Sequence, residues 1–428
     1  MTDFSAFVRK HGNLTKAWQT IKTNGRRSSS PYITDDIEKF SEAEKTNIRS
    51  ISARIQHGTY EFSPAKGVAL EKPNKPGSIR PIVIPRATDR VVQRCILDAL
   101  VSDDAVRKKA FQPFSFGGVP KVDGASLAGV PAAVNALLQK IGAGGTHVIV
   151  ADISGFFTRI KKPDAVEMIR SLSTDEKFAS LFQKAISVDL ENCERIWRYK
   201  DQFPYGDVGV GQGVCLSPFL GNLVLADFDE AMNEGDCACI RYVDDIIIIA
   251  PSGKAASARY RRAKKMLSEK GMEFSSEKSD KLPCPVEKKF EYLGIEFQNG
   301  RIRPSSKSRK SILRRTNEVA AKSLQALKSA KKATDFNIDY SIPRTQNKIS
   351  GMARGWAHHY TFCNDLETVK NVDRNISTTF LNYSAKAVEI AQGKIANNQP
   401  DLASAFLGYR GIVGMEFKPL HWPKLKTG

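Results

Sequence analysis

The chain has 428 residues, 41% of them hydrophobic and 26% charged, which is typical of a globular protein with a sizeable core. Lysine and arginine outnumber aspartate and glutamate by 65 to 46, giving a formal net charge of +19. This excess favours a nucleic-acid partner, with a ribosome-like or membrane-surface protein as the alternative. No apolar stretch has the length of a membrane span or signal peptide, and the seven cysteines lack zinc or redox spacing. We therefore expect a cytoplasmic protein with reduced thiols and no membrane partner.

The first half of the chain predicts helices at the N-terminus and then a mixture of strands and helices. Apolar spacing and proline or glycine punctuation predict, in chain order, a polar helical region over residues 1–66, a hairpin with a basic turn over 67–85, a helix over 86–107, a strand over 147–151 and a helix over 217–232. The strand over 147–151 runs directly into Asp152. The order of these elements indicates an α+β fold.

The second half predicts two more strand pairs and then a basic helical region. The expected elements are a strand pair around Asp244, a helix over 254–271, a hairpin turning at Asn299 and Gly300, and helices from Ser305 to about residue 390. Between Ser305 and Lys332 there are nine lysines and arginines and a single acid, Glu318. A basic, all-helical C-terminal part is therefore expected.

Two adjacent carboxylates, Asp244 and Asp245, interrupt the apolar run IRYVDDIIIIA. Side-by-side negative charges are costly unless a cation neutralises them, and Mg²⁺ prefers carboxylate oxygens. Asp152 can join the pair if its strand is their neighbour, and such a constellation would hold two metal ions roughly 3.5–4 Å apart for in-line phosphoryl displacement. The plain alternative is a polar turn, because aspartate is a favoured turn residue.

Ordered motifs along most of the chain resemble those of bacterial reverse transcriptases of the group II intron lineage. The matching stretches are NLTKAWQTIKTNG, the block IQHGTYEF to IPRATDRVVQ, FQPFSFGG, VIVADISGFFTRI, GQGVCLSPFLGNLVLADFD, RYVDD, FSSEKSD, FEYLGIEF and ISGMARGWAHHYTFCN. The last of these resembles the RGW signature of maturase thumbs. Residues 164–210 depart from the family pattern, and no zinc-binding endonuclease module follows Tyr360.

The resemblance implies a right-hand polymerase with fingers, an antiparallel palm sheet flanked by helices, and an α-helical thumb. It implies a helical N-terminal extension or start of the fingers over residues 1–66, fingers over 67–145, a palm over 146–303, and a maturase-like thumb with a C-terminal tail over 304–428. Within the palm, residues 164–210 would be a lineage-specific segment.

The resemblance also assigns a catalytic site. Asp152, Asp244 and Asp245 would be catalytic and, with the carbonyl of Ile153, would hold two Mg²⁺ ions, with Mn²⁺ as a substitute. The dNTP would be bound by Lys72, Lys75, Arg80, Phe157, Gln212, Gly213 and Lys278. Within that set, Arg80 and one lysine would clamp the triphosphate and Phe157 would exclude a 2′ hydroxyl, whereas Phe156 is expected in the core.

The primer and the nucleic-acid duplex would be bound further along the chain. The residues implied are Tyr292, Leu293 and Gly294 as a primer grip, and Arg309, Lys310, Arg314 and Arg315 on the basic helix. Trp356, His359 and Tyr360 are expected in the thumb core, because aromatic side chains at helical spacing usually pack inward.

The function implied is an RNA-directed DNA polymerase that makes cDNA from dNTPs on a structured RNA. The missing endonuclease points to a free-standing, defence-associated enzyme that copies a neighbouring noncoding RNA during phage infection. The alternatives are a retron-type or group II intron-derived reverse transcriptase or maturase without endonuclease, and a template-independent nucleotidyltransferase. A Mg²⁺ nuclease would use the carboxylates but would not need a sugar gate.

Overall fold

The computed structural model describes residues 3–72, 77–120, 127–187 and 189–409. The chain forms two compact units, Met1–Val286 and Glu287–Gly428. The three-stranded sheet at the start of the second unit lies beyond this division, whereas the sequence assigned it to the palm. The division of the chain into fingers, palm and thumb stays a prediction.

The described residues of the first unit form thirteen α-helices, four of them at its start. The helices are α1 Phe4–Arg9, α2 His11–Gly25, α3 Pro31–Glu42, α4 Glu44–Gln56, α5 Ala87–Ser102, α6 Asp104–Ala110, α7 Gly129–Gly142, α8 Phe156–Arg159, α9 Lys162–Leu172, α10 Glu176–Ile186, α11 Leu216–Val224, α12 Ala226–Met232 and α13 Gly253–Glu269, with a 3₁₀ helix at Trp197–Gln202. Polar side chains start several of them: Asp3 and Ser252 each accept a hydrogen bond from the first turn of their helix.

Where the structure describes the first unit, six strands form two sheets. They are β1 Lys66–Glu71, β2 Ile79–Ile84, β3 His147–Asp152, β4 Ala238–Tyr242, β5 Asp245–Ala250 and β6 Cys284–Pro285. β1 and β2 form an antiparallel hairpin, and the second sheet has the order β4-β5-β3-β6 with antiparallel pairing throughout. Residues Ile246 to Ala250 of the central strand β5 are buried, which explains its unbroken apolar run.

The second unit combines a small sheet with long helices. Its elements are β7 Phe290–Tyr292, β8 Ile295–Gln298, β9 Arg301–Pro304, α14 Ser306–Ser329, α15 Ile342–His358, α16 Leu366–Ala396 and α17 Pro400–Phe406, with 3₁₀ helices at Ala333–Asp335 and Ile338–Tyr340. Asn299 and Gly300 both have positive φ, at 47° and 73°, and join β8 to β9 as the sequence predicted.

The predicted α+β class is confirmed, and two predicted helices prove to be pairs. The helix expected over 86–107 stops at Ser102, because Asp103 leaves the helical conformation and caps α6 by accepting from the backbone of Ala105 and Val106. The helix expected over 217–232 is interrupted at Leu225, whose φ of −96° and ψ of 8° are not helical. Among the described helices, none is long and apolar enough to cross a membrane.

Candidate active site

Three carboxylates meet at one end of the four-stranded sheet. β3 ends at Asp152 and β5 begins at Asp245, and the antiparallel register makes these two residues direct partners. Asp244 lies in the turn before β5, where its carbonyl accepts a 3.0 Å hydrogen bond from the N–H of Ile153. The turn is tight because Val243 has a positive φ of 62°. The sheet register therefore gathers residues that are far apart in the sequence.

The buried side chain of Arg241 binds the backbone of this turn. Arg241 and Asp229 are both fully buried and form an ion pair in which Nε donates to Asp229 Oδ1 at 2.8 Å. The same guanidinium donates to the carbonyl of Val243 at 3.0 Å and to Ser115 Oγ at 2.8 Å. The carboxylate-bearing turn is thus tied to the FQPFSFGG block through one side chain.

The block FQPFSFGG also approaches the turn through its backbone. The N–H of Phe116 donates to the carbonyl of Arg241 at 2.9 Å. A Cβ added to Gly117 would lie 2.5 Å from both the backbone nitrogen and a side-chain carbon of Val243, so this position must lack a side chain. Sequence reasoning did not identify Arg241 or Gly117. The detectable signal was an arginine inside an otherwise apolar strand.

A lysine from the FSSEKSD block contacts the carboxylates. Lys278 Nζ lies 2.9 and 3.0 Å from the two carboxylate oxygens of Asp152. Its block is held against β3, because Asp280 Oδ2 accepts from the N–H of Val150 and Ser279 Oγ accepts from that of Asp152. Burial alone would lower the pKa of Lys278, but the hydrogen bond with Asp152 and the carboxylate charges raise it above its usual value.

The carboxylate cluster has an excess of negative charge. Burial, then the charges of Asp244 and Asp152, raise the pKa of Asp245 to about 6. Burial and the charge of Asp152 also raise the pKa of Asp244, while Lys278 and Arg80 oppose this shift. Both shifts mean that the ionised cluster is destabilised unless positive charge is added.

The cluster fits hard divalent cations by its chemistry. Three carboxylates supply the oxygen donors that Mg²⁺ and Mn²⁺ prefer, and the raised pKa values of Asp244 and Asp245 favour bound positive charge. In the part of the chain that the structure describes, no group of three or more His, Cys, Asp and Glu side chains is arranged as a preformed metal site. The donor set therefore fits metal ions, and their number remains a prediction.

Two of the seven predicted dNTP-binding residues line a common cleft. Lys72 and Gln212 line a cleft of about 680 Å³, together with Gly155, Thr158 and Arg159, which follow Asp152 in the chain. Arg80 is exposed on β2, and its charge lowers the pKa of Asp244. Lys75 lies outside the described residues.

Gln212 and Gly213 are held against the β1–β2 hairpin. The carbonyl of Gln212 accepts a 2.8 Å hydrogen bond from the N–H of Val83 on β2. Gly213 has a φ of 97°, and an added Cβ would lie 3.3 Å from the carbonyl oxygen of Val83, so glycine is needed here.

The two phenylalanines of α8 differ in burial. Phe156 is 2% exposed and its ring fills the space that a Cβ on Gly221 would need, which confirms it as a core residue. Phe157 is half-buried with its ring centroid 5.2 Å from that of Phe156. Its partial exposure next to the cleft is compatible with the predicted gate.

The primer-grip and duplex-binding candidates all lie in the second unit. Tyr292 is buried at the end of β7, and Leu293 and Gly294 form the tight turn to β8 with φ values of 52° and 75°. Lys310, Arg314 and Arg315 are exposed on α14, although Arg314 lies 3.7 Å from Glu318. The fourth basic-helix candidate, Arg309, is only partly exposed and lies 3.9 Å from the buried carboxylate of Glu296.

Side chains of the stretch ISGMARGWAHHYTFCN form a small hydrogen-bonded cluster with Ser308. Trp356 packs against the helical core and donates from Nε1 to Ser308 Oγ at 2.9 Å, and the Tyr360 hydroxyl lies 2.6 Å from the same oxygen. His359 is exposed, so the prediction that it belongs to the core is wrong. It follows the last residue of α15, where the helix has ended and the apolar face is no longer continued.

Comparison with known proteins identifies the family. Residues 70–297, more than half of the chain, match the family model described as "Reverse transcriptase (RNA-dependent DNA polymerase)". The chain belongs to this reverse transcriptase family. The matched region contains all three carboxylates, the cleft and Arg241, and the α+β fold with its antiparallel sheet agrees with the predicted right-hand polymerase class.

Two curated proteins are similar to part of this reverse transcriptase. Protein YkfC of Escherichia coli K12 is 29% identical over 178 residues, which cover 41% of this chain and 43% of that protein. An uncharacterized 91 kDa protein in a cob intron of Schizosaccharomyces pombe is 25% identical over 183 residues, covering 43% and 20%. The chain therefore spans less than half the length of the curated relatives it matches.

Solved structures also align with part of this chain. A chain of a partial Cas6-RT-Cas1–Cas2 complex aligns over 63% of this chain and 42% of its own length, with a TM-score of 0.36 and 18% identity. Apo telomerase from Candida tropicalis, truncated of its C-terminal domain, aligns over 61% and 60%, with a TM-score of 0.38 and 14% identity.

Proposed function

We propose that this protein is an RNA-directed DNA polymerase that uses Asp152, Asp244 and Asp245 to catalyse nucleotidyl transfer. The observation that carries the proposal is the antiparallel register that pairs Asp152 with Asp245 and sets Asp244 on the adjoining turn, inside the region matched by the reverse transcriptase family. A nuclease would need the carboxylates but not the neighbouring cleft lined by Lys72 and Gln212.

Each part of the site has a proposed role in the reaction. The three carboxylates would hold two Mg²⁺ ions, which, when bound, polarise the α-phosphate and lower the pKa of the primer 3′ hydroxyl. Arg80 and Lys72 bind the triphosphate, the arginine through its planar fork and the lysine as a point charge. Phe157 limits the space at the sugar, and Lys278 adds positive charge beside the developing negative charge.

The thumb and primer-grip residues are proposed to bind the template–primer duplex. Exposed Lys310 and Arg315 on α14 present charge to phosphates without competing ion pairs of their own in the described structure. The Leu293–Gly294 turn would support the primer end. Arg309 is proposed to act less directly, because its guanidinium lies next to Glu296.

A primer-extension assay tests the polymerase proposal. Purified protein should extend a DNA primer on an RNA template of defined sequence with dNTPs and Mg²⁺, and the product should be the complement of the template. Products that do not depend on template sequence would instead support a template-independent nucleotidyltransferase. Cleavage of the template without synthesis would support a nuclease.

The biological role we propose is cytoplasmic copying of a dedicated noncoding RNA into cDNA in bacterial antiphage defence. Charge alone gives no selectivity among RNAs, so a dedicated partner needs surfaces that read RNA shape or unstacked bases. Trp197 is 67% exposed and the Arg198 guanidinium lies 5.6 Å from its ring, which supports base stacking at this surface. An intron-derived or retron-type role is the second candidate, favoured by the cob-intron relative.

Sequencing of copurified RNA distinguishes these roles. A dedicated partner should dominate RNA bound to the protein in its native host and should map near its gene. Bound RNA that follows cellular abundance would contradict a dedicated partner, and enrichment of intron sequences would favour the intron-derived role.

A further inference from the structure

The segment of residues 189–205, which departs from the family pattern, lies along both strands of the β1–β2 hairpin. It begins with backbone pairing, because the N–H of Ala65 donates to the carbonyl of Asp189 at 2.7 Å and the N–H of Glu191 donates to the carbonyl of Ala65 at 2.9 Å. We call residues 189–205 the brace. Sequence reasoning gave this segment no role in holding the hairpin.

Two side-chain amides of the brace each bind the hairpin backbone as both donor and acceptor. At the base of the hairpin, Asn192 accepts from the N–H of Gly67 at 2.7 Å and donates to its carbonyl at 2.8 Å. Near the tip, Gln202 accepts from the N–H of Ile79 at 3.3 Å and donates to the carbonyl of Gly77 at 3.2 Å. A side-chain amide bonded in this way imitates a neighbouring strand.

Apolar side chains of the brace pack closely against Gly67 on β1. A Cβ added to Gly67 would lie 2.7 Å from Ile196, 3.1 Å from Leu190 and 3.2 Å from Phe203, all of them brace residues. The Ile196 and Phe203 side chains are 6% and 5% exposed. The hairpin therefore has a glycine where the brace packs against it. Packing as well as hydrogen bonds fixes the position of the hairpin on the brace.

The brace also forms one wall of the cleft proposed for the nucleotide. Lys200, Gln202 and Tyr205 line the cleft together with Gly155, Thr158 and Lys72. Gln202 accepts a hydrogen bond from the N–H of Ile79, the residue immediately before Arg80 in the chain. A change in Gln202 therefore acts on the strand that carries Arg80.

We propose that the brace fixes the β1–β2 hairpin over the nucleotide cleft, with Gln202 and Asn192 as positioning residues for Lys72 and Arg80. The inference rests on the proposed polymerase function, because it assigns the two cations to the triphosphate. Without the hydrogen bonds of the brace, the carboxylates stay in place and the hairpin moves, so the affinity for dNTP falls while the chemical step and duplex binding are retained.

Steady-state kinetics of Gln202→Ala and Asn192→Ala test whether the brace positions Lys72 and Arg80 for dNTP binding. We expect the KM for dGTP to rise about tenfold, equivalent to about 1.4 kcal/mol, which is roughly the net contribution of one or two hydrogen bonds. The kcat and the Kd for template–primer should stay within about twofold. Gln139→Ala is the matched control, because Gln139 is exposed on α7, outside the brace and the cleft.

Hydrogen exchange tests the brace without any catalytic assay. In the substrate-free protein, backbone amides within β1 and β2 should exchange faster in Gln202→Ala and in Gly67→Ala, whereas those of β3 and β5 should not change. Gly67→Ala acts from the hairpin side, because its methyl group displaces Ile196.

The two measurements separate failure of the brace from failure of the proposed function. Unchanged exchange in β1 and β2 would overturn the brace. Faster exchange with an unchanged KM would show that the brace holds the hairpin but does not position Lys72 and Arg80 for the triphosphate, which would overturn the claim about nucleotide binding. If the unaltered protein incorporates no dNTP, the polymerase proposal and the claim about nucleotide binding fall together, and hydrogen exchange still decides whether the segment braces the hairpin.

Discussion

Removal of Arg241 should destabilise the fold strongly and disable the carboxylate-bearing turn. The guanidinium is fully buried and makes hydrogen bonds to Asp229, Ser115 and the carbonyl of Val243. Arg241→Ala leaves the carboxylate of Asp229 buried without its counter-charge, and breaking such a pair costs about 3–5 kcal/mol. We expect that decrease in the free energy of unfolding measured in urea, together with loss of primer extension.

A double substitution separates stability from positioning. Arg241→Met with Asp229→Leu removes both charges at similar volume, and such replacements are often neutral or stabilising, so most of the stability should return. Primer extension should remain impaired, because the hydrogen bond to Val243 is still missing. Stability and activity that recover together would show that Arg241 acts only through the fold.

A surface ion pair provides the matched control. Arg262 binds Glu234 at 3.1 Å through two nitrogens, but the two side chains are 45% and 60% exposed. Arg262→Ala should therefore cost at most about 1 kcal/mol. If Arg241→Ala costs no more than this control, the reasoning about the buried cluster is wrong.

Three further predictions concern the sugar, the carboxylates and the thumb. Phe157→Ala should enlarge the space at the sugar and raise kcat/KM for rGTP relative to dGTP. In EDTA, the free energy of unfolding of the wild type should fall relative to that of Asp245→Asn as the pH rises from about 4 to about 6. Burial and neighbouring carboxylates raise the folded-state pKa of Asp245 to about 6, so the folded state keeps a proton at pH values where the unfolded state has lost it. Charge reversal of Lys310, Arg314 and Arg315 to Glu should flatten the log–log salt dependence of duplex binding by roughly 0.7–0.9 for each phosphate that the helix no longer binds.

Each of these predictions has a contradicting result. An unchanged rGTP to dGTP ratio would assign Phe157 to the core with Phe156. Parallel pH curves for wild type and Asp245→Asn would show that the carboxylates are solvated rather than crowded. A salt slope equal to that of wild type would show that the exposed face of α14 does not contact the duplex.

Sequence patterns predicted most of the elements around the site because those elements depend on local signals. The run HVIVAD predicts a strand that ends at a carboxylate, and the pair at 244–245 lies between two apolar strands. The Asn299–Gly300 turn follows from the ease with which these residues adopt positive φ. These features require only neighbouring residues, so one sequence was enough to predict them.

Contacts between distant segments could not be predicted in the same way. The pairing of Gln202 with Gly77 and Ile79 joins residues more than 120 positions apart, and nothing in a glutamine on a short 3₁₀ helix indicates its partner. Arg241 could have been suspected from its place in an apolar strand, but its partner Asp229 could equally have been a surface acid. One local signal was also missed: the capping hydrogen bonds of Asp103 divide the helix predicted over 86–107 into two.

The central claim is that Asp152, Asp244 and Asp245 catalyse DNA synthesis on an RNA template. The most direct test is extension of a DNA primer on a defined RNA template by the wild type and by Asp244→Asn, with folding of the variant verified by urea unfolding. We predict template-complementary DNA from the wild type and a rate at least about 10²-fold lower from the variant, because the variant lacks one ligand for transition-state charge. Extension by the variant at the wild-type rate, or product unrelated to the template, would contradict the claim.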